Sequence, residues 1–287
     1  MKNYDFSLDR RRFIKASATA ALAAVTMNVR TMDAAPFNHK GLRVWSCGGL
    51  SEAFIQANRC YQELANVKIE YTGAFAAALG ESLIKGAQTD VFAGRVLKLA
   101  KRLRAKGKML YFRPLCFTEY VIVTPLGNPA GITDIKDLAS PGVKVVMAPY
   151  ASPPGGKAVL ALLKKAKIKD RVLKNVVIKG SCVQRIMKYV IFGKADAAVV
   201  ERRLTKIPRF MGKVEVVPIP DRFQPPPPLT FTIGVMESAR DRQQADRYLE
   251  FITSEKGQSF FEKQGFIPAI SERGRMLVER LGVKDVI

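Results

Sequence analysis

The stretch Leu42-Arg43-Val44-Trp45-Ser46-Cys47-Gly48-Gly49-Leu50-Ser51-Glu52-Ala53-Phe54 decides the architecture. Leu42 to Ser46 is a short strand with apolar residues in alternation. Gly48-Gly49 turns the chain, and Leu50, Phe54, Ile55 and Leu64 then recur at helical spacing as far as Ala65. Strand, glycine turn and helix in succession are the opening of a βαβ unit.

The same alternation continues outward. Val67 to Thr72 reads as strand, Ala76 to Lys85 as helix, Thr89 to Ala93 as strand and Val96 to Lys106 as a basic helix. Phe117 to Thr124 is apolar or β-branched except for Glu119, and Pro125, Gly127, Asn128 and Pro129 break it. A second series follows: strands Val143 to Ala148, Val176 to Lys179 and Ala195 to Val200, with helices Gly155 to Lys167 and Cys182 to Phe192 between them. After Val214 to Ile219 come four consecutive prolines, Pro225 to Pro228, which favour an extended crossing. Strand Leu229 to Met236 and helices Arg242 to Phe251 and Glu255 to Gln264 close the pattern. The prediction is an α/β protein of two lobes joined by a hinge, each lobe a mainly parallel sheet flanked by helices. Lobe one takes residues 41–123 plus 226–270, lobe two takes 124–225, and 271–287 form a basic amphipathic tail.

The 287 residues, 48% hydrophobic, suffice for about two domains. Residues 1–35 read as a leader. Arg10-Arg11-Arg12-Phe13 precedes a charge-free run from Ala16 to Val29, too short for the roughly 20 residues that span a bilayer. Arg10-Arg11 with Phe13 resembles a twin-arginine export signal, with cleavage expected near Ala34 or Ala35. The formal net charge is +22; the first 35 residues hold six Lys/Arg against three Asp/Glu, so the mature chain keeps about +19. The cations (Lys98, Arg102, Arg104, Lys164, Lys165, Arg202, Arg203) are scattered without a DNA-binding motif. They read as a solvated basic surface that attracts anionic solutes, and no nucleic-acid partner is expected.

His39 is the only histidine, so histidine-based acid/base or triad chemistry has no support. Ala151 to Lys157 lacks the first glycine and the metal-binding hydroxyl of a phosphate loop. The four cysteines, Cys47, Cys60, Cys116 and Cys182, contain no CxxC and have no histidine companions. What remains is a set of strand-to-helix turns, at Gly48 to Ser51, Gly73 to Ala76, Pro153 to Gly156 and Gly180 to Cys182. Each can aim backbone N–H groups and a helix dipole at an anion, beyond the carboxyl ends of the strands where ligands bind in open α/β sheets.

Five blocks, in order, resemble the molybdate- or tungstate-type periplasmic solute-binding proteins of ABC importers. They are Val44 to Phe54, Gly86-Ala87-Gln88-Thr89-Asp90-Val91-Phe92, Pro154-Gly155, Gly193 to Val200, and Phe251 to Phe266. The resemblance implies an exported, non-catalytic binder without a cofactor. It would hold a small inorganic ion between its lobes, act as a monomer and deliver the ion to a membrane permease. It also implies the contacts: backbone groups of Gly48, Gly49, Ala76, Pro154 and Val183, with Ser51 and Glu201 as side-chain participants. Three positions depart from the family. Its two oxyanion-holding hydroxyls fall on Gly49 and Ala76, and its strand-end tyrosine falls on Glu201. Glu201 would repel a dianion unless protonated or serving as a metal ligand. Cys47 and Cys182 lie near two of the turns, leaving a soft-metal or arsenite-like ligand as the alternative. A cysteine-dependent enzyme and a basic nucleic-acid or envelope binder are the remaining classes.

Overall fold

The computed structural model describes residues 41–151, 155–224 and 230–285. The leader, Pro154 and the proline run therefore lie outside the described residues.

The first sheet has six strands in the order β11-β4-β10-β3-β1-β2. These are β1 (Gly41–Cys47), β2 (Lys68–Ala74), β3 (Val91–Arg95), β4 (Met109–Thr118), β10 (Thr230–Met236) and β11 (Phe266–Pro268). Alternation in β1 sends Leu42 and Val44 into a core with Phe54, Leu50, Ile233 and Tyr248, while Trp45 packs on the opposite face with Leu83 and Phe92. Helices α1 (Ser51–Ala65), α2 (Ala76–Ile84) and α3 (Leu97–Ala105) connect the early strands, and α7 (Arg242–Thr253) and α8 (Glu255–Lys263) follow β10. Asp241 and Ser254 cap these last two helices by accepting from Gln244 N and Gly257 N.

The second lobe holds the antiparallel sheet β8-β5-β9 and the parallel pair β6-β7. Its strands are β5 (Tyr120–Thr124), β6 (Val145–Met147), β7 (Val176–Lys179), β8 (Ala198–Glu201) and β9 (Glu215–Pro218). Helices α4 (Gly155–Lys165), α5 (Lys169–Lys174) and α6 (Val183–Ile191) connect and flank them. Tyr120 and Ile122 face one core of this lobe, Val121 and Val123 the other.

Two expectations change. The sheets are mixed, not mainly parallel: β10 runs antiparallel to both β3 and β4, and β11 antiparallel to β4. The reason is that β10, entering from the second lobe, inserts between β3 and β4, which run in the same sense as β1 and β2, and that β10 and β11 both run against that sense. The apolar run from Phe117 to Thr124 is also divided between two sheets. Its first part ends β4, and its second part, β5, pairs with β8 and β9. The crossing falls at Glu119, the single charge in the run, held by Arg202 and Arg273. The tail is a docked helix, α9 (Glu272–Leu281), capped by Ser271 and packed through Leu277, with Val283, on Phe117, Ile267 and Ala269.

The aspartates of two of the resemblance blocks are architectural. Asp90 accepts from Arg43 N at 2.7 Å and Arg240 N at 3.2 Å, stitching β1 to the segment after β10. Burial pushes its pKa up against the pull of those bonds. Asp196 accepts from Lys144 N at 2.7 Å at the entry to β6.

Candidate functional site

The carboxyl ends of β1 and β3 lie side by side, with Ser46 opposite Ala93 in register, so the Gly48-Gly49 turn comes next to Arg95. On the other lobe β8 ends at Glu201, opposite Tyr120 of β5. These two ends meet. Arg95 Nη2 donates to Glu201 Oε1 at 2.5 Å, and Arg203 Nε donates to Glu201 Oε2 at 2.5 Å. Side-chain exposures of 10% for Arg95, 8% for Glu201 and 18% for Arg203 make this a buried ion cluster. Two guanidinium groups face one carboxylate, leaving an excess positive charge where the lobes touch.

Burial works to raise the Glu201 pKa, but Arg95 first and then Arg203 overcome it and hold the carboxyl down at about 2. Burial likewise opposes the Arg95 charge, and Glu201 more than compensates. Glu201 is thus ionised at every physiological pH. It is neither the bare carboxylate nor the protonated one that the sequence suggested. Arg202 and Arg203, counted there with the solvated cations, are both engaged with buried or half-buried carboxylates.

A Cβ at Gly49 would come 3.6 Å from Cζ and Nε of Arg203, an ordinary van der Waals contact, so the guanidinium lies against this turn. Arg95 is fixed from below: its Cζ sits 5.4 Å from the Phe231 ring centroid. The next residue, Val96, has φ of 68°, a conformation a β-branched residue adopts only under constraint, and its N–H is held by Thr230 O at 2.8 Å. Tyr120 is buried beside the cluster, and burial, then Glu201, drive its pKa up. Its hydroxyl is 3.5 Å from Gly155 O, and a Cβ at Gly155 would come 3.9 Å from Glu201 Oε1, so the first residue of α4 lies at this site.

The remaining lobe-one residues form an adjoining patch. Gly48 lies on Ala74, with its would-be Cβ 3.5 Å from Ala74 O, which brings the first turn against the second and so near Ala76. Tyr71 Oη donates to Ser51 Oγ at 3.1 Å and shares a 2.6 Å hydrogen bond with Ser46 Oγ. Ser51 accepts from Tyr71 and keeps its own O–H for a further acceptor. Gly73 makes room for this, since a Cβ there would come 2.4 Å from Ser51 Oγ.

The structure therefore gathers Cys47, Gly48, Gly49, Ser51 and Glu201, adds Ala76 at the edge, and leaves Pro154 outside the described residues next to Gly155. Cys47 is buried at the end of β1, whereas Cys182 is exposed at the N-terminus of α6 in the other lobe, with Val183 packed on that lobe's core. Among the described residues no group of three or more His, Cys, Asp or Glu is placed to hold a metal ion. Sequence reasoning missed Arg95, Tyr71 and Tyr120 and misassigned Arg203. The available signal was position: Arg95 ends the strand that begins in the Asp90-Val91-Phe92 block, and Arg203 stands two residues after Glu201.

The chain is 25% identical over 242 residues to the molybdate-binding protein ModA of Mycobacterium tuberculosis, covering 79% of this chain and 84% of the relative. A solved substrate-binding domain from Clostridium difficile superposes with a TM-score of 0.71 at 23% identity, covering 79% of this chain and 98% of that one. The periplasmic molybdate-binding protein of Azotobacter vinelandii gives a TM-score of 0.60 at 16% identity, covering 79% and 98%. These structural likenesses establish the two-lobed periplasmic-binding-protein fold. Residues 42–267, nearly the whole of the described region, match the family model, and the chain belongs to the bacterial extracellular solute-binding proteins.

Proposed function

We propose that this chain is exported by the twin-arginine route, captures a small oxyanion of the molybdate type between its lobes, and delivers it to the membrane permease of an ABC importer. The observation that carries the reading is the convergence of Arg95 from lobe one and Arg203 from lobe two on a single buried point with excess positive charge. Charge-assisted bonds from guanidinium groups suit the oxygens of such an anion. The turns at Gly48-Gly49 and at Gly155, with the Ser51 hydroxyl, offer further donors. In relation to the molybdate-type family, the guanidinium of Arg203 lies where Gly49 lacks a hydroxyl, so a cation stands in for a neutral donor. Relationship to ModA favours molybdate as the first solute to try.

The test is isothermal calorimetry on the mature chain with molybdate, tungstate, sulfate, arsenite and divalent metal ions. Oxyanion binding that Arg203→Ala weakens supports the reading. Binding of arsenite or a metal ion alone would replace it with the soft-ligand reading, and silence toward every ion would defeat both.

A further inference from the structure

We propose that Glu201 is a built-in anion that competes with the solute for Arg95 and Arg203, so that the cleft admits doubly charged oxyanions and discriminates against singly charged ones. The inference rests on the oxyanion reading above and assigns the charge class of its ligand.

The geometry is that of an occupied anion site. Each oxygen of Glu201 is taken by a different guanidinium at 2.5 Å, one from each lobe, and the carboxylate joins the lobes as a bound solute would. Glu201 is the last residue of β8, paired with Tyr120 of β5 and with extended backbone at φ of −67° and ψ of 130°, so its side chain stands at the strand end where the lobes meet. The site is also under-satisfied. Arg95 Nε is buried without an acceptor among the described residues, and a buried N–H in that state is stabilised when an acceptor oxygen reaches it.

Charge then selects. A singly charged anion that displaces Glu201 exchanges one negative charge for another and leaves an ionised carboxylate nearby in a water-poor cleft. A doubly charged anion attracts both guanidinium groups about twice as strongly, which can offset the loss of the internal pair. Because Glu201 also ties the lobes together, it holds the ligand-free protein partly closed, and losing it shifts the population toward the open form.

Calorimetry near neutral pH on the wild type and Glu201→Gln, with molybdate and sulfate against perchlorate and nitrate, tests this. We expect the variant to bind a dianion at least about tenfold tighter, and the dianion-to-monoanion preference to fall by about tenfold or more. Small-angle scattering should show a larger radius of gyration for ligand-free Glu201→Gln than for ligand-free wild type, with the two converging when a dianion saturates them. A folded variant whose dianion affinity is unchanged or weaker, or whose selectivity is unaltered, overturns the inference while leaving the oxyanion reading in place. Should Glu201→Gln fail to fold, Glu201→Asp, which keeps the charge but withdraws it by one methylene, must also bind a dianion tighter than wild type for the inference to survive. Silence of wild type and variants toward all four anions overturns the oxyanion reading and this inference together.

Discussion

Replacing Arg95 by Met should destabilise the protein in a manner that depends on pH. The substitution keeps much of the apolar contact with Phe231 and removes the cation that acts most strongly on a carboxylate only 8% exposed. The Glu201 pKa falls from 4.5 to about 2 on folding, and at about 1.4 kcal/mol per unit this is worth roughly 3 kcal/mol. Complete loss of a partner from a buried pair costs about 3–5 kcal/mol, but Arg203 remains, so we expect about 2 kcal/mol near neutral pH. The sign follows from the depressed folded pKa: this stability is fully present above pH 4.5 and is lost as pH falls from 4.5 toward 2. In Arg95→Met the Glu201 pKa moves back up toward its ordinary value. The wild type should therefore lose about 1 kcal/mol from this group over the first unit below pH 4.5, while the variant loses less, and the gap between them should narrow. Urea unfolding followed by circular dichroism at a series of pH values from neutral to acid measures it. A gap that stays constant across the series, or widens, would refute the assignment of Glu201 as an ionised partner of Arg95.

Three further outcomes are expected. Cys47→Ser with Cys182→Ser should change oxyanion affinity in calorimetry by less than about tenfold, or about 1.4 kcal/mol, whereas abolition would favour thiolate coordination of a soft centre. Arg10→Lys with Arg11→Lys should leave precursor in the cytoplasm on fractionation and immunoblotting, because the export receptor reads guanidinium groups; unchanged export would remove the twin-arginine assignment. Gly274→Ala should cost about 1–3 kcal/mol in urea unfolding, since the new Cβ would come 1.8 Å from Pro268 O at the start of α9, and a neutral effect would contradict the docking of that helix.

The lobes were legible because their signals are local. β1, α1 and the alternation that follows are written in side-chain period and in glycine turns, which need no knowledge of distant partners. β4 was only partly legible: Arg113 and Pro114 interrupt its apolar pattern, and its pairing with β10 carries a register shift between Phe231 and Thr232 close to the proline. The place where the chain changes sheet was written as a single charge, Glu119, within an apolar run. It acquires that meaning only once Arg202 and Arg273 are known to converge on it from other elements.

The candidate site was half legible for a related reason. Its glycines and Ser51 belong to a strand-to-helix turn whose use is general to α/β folds. Its charges do not. A guanidinium in a sequence reads as solvated by default, and nothing within a few residues of Arg95 announces that its partner lies 106 positions away on the other lobe. Read alone, Glu201 was an obstacle to an anion. With Arg95 and Arg203 beside it, the same carboxylate keeps two cations buried at the meeting point of the lobes, where either would be costly without a counter-charge. The guanidinium of Arg203 lies against the Gly49 backbone, and Glu201 holds that guanidinium and Arg95 together where the lobes meet.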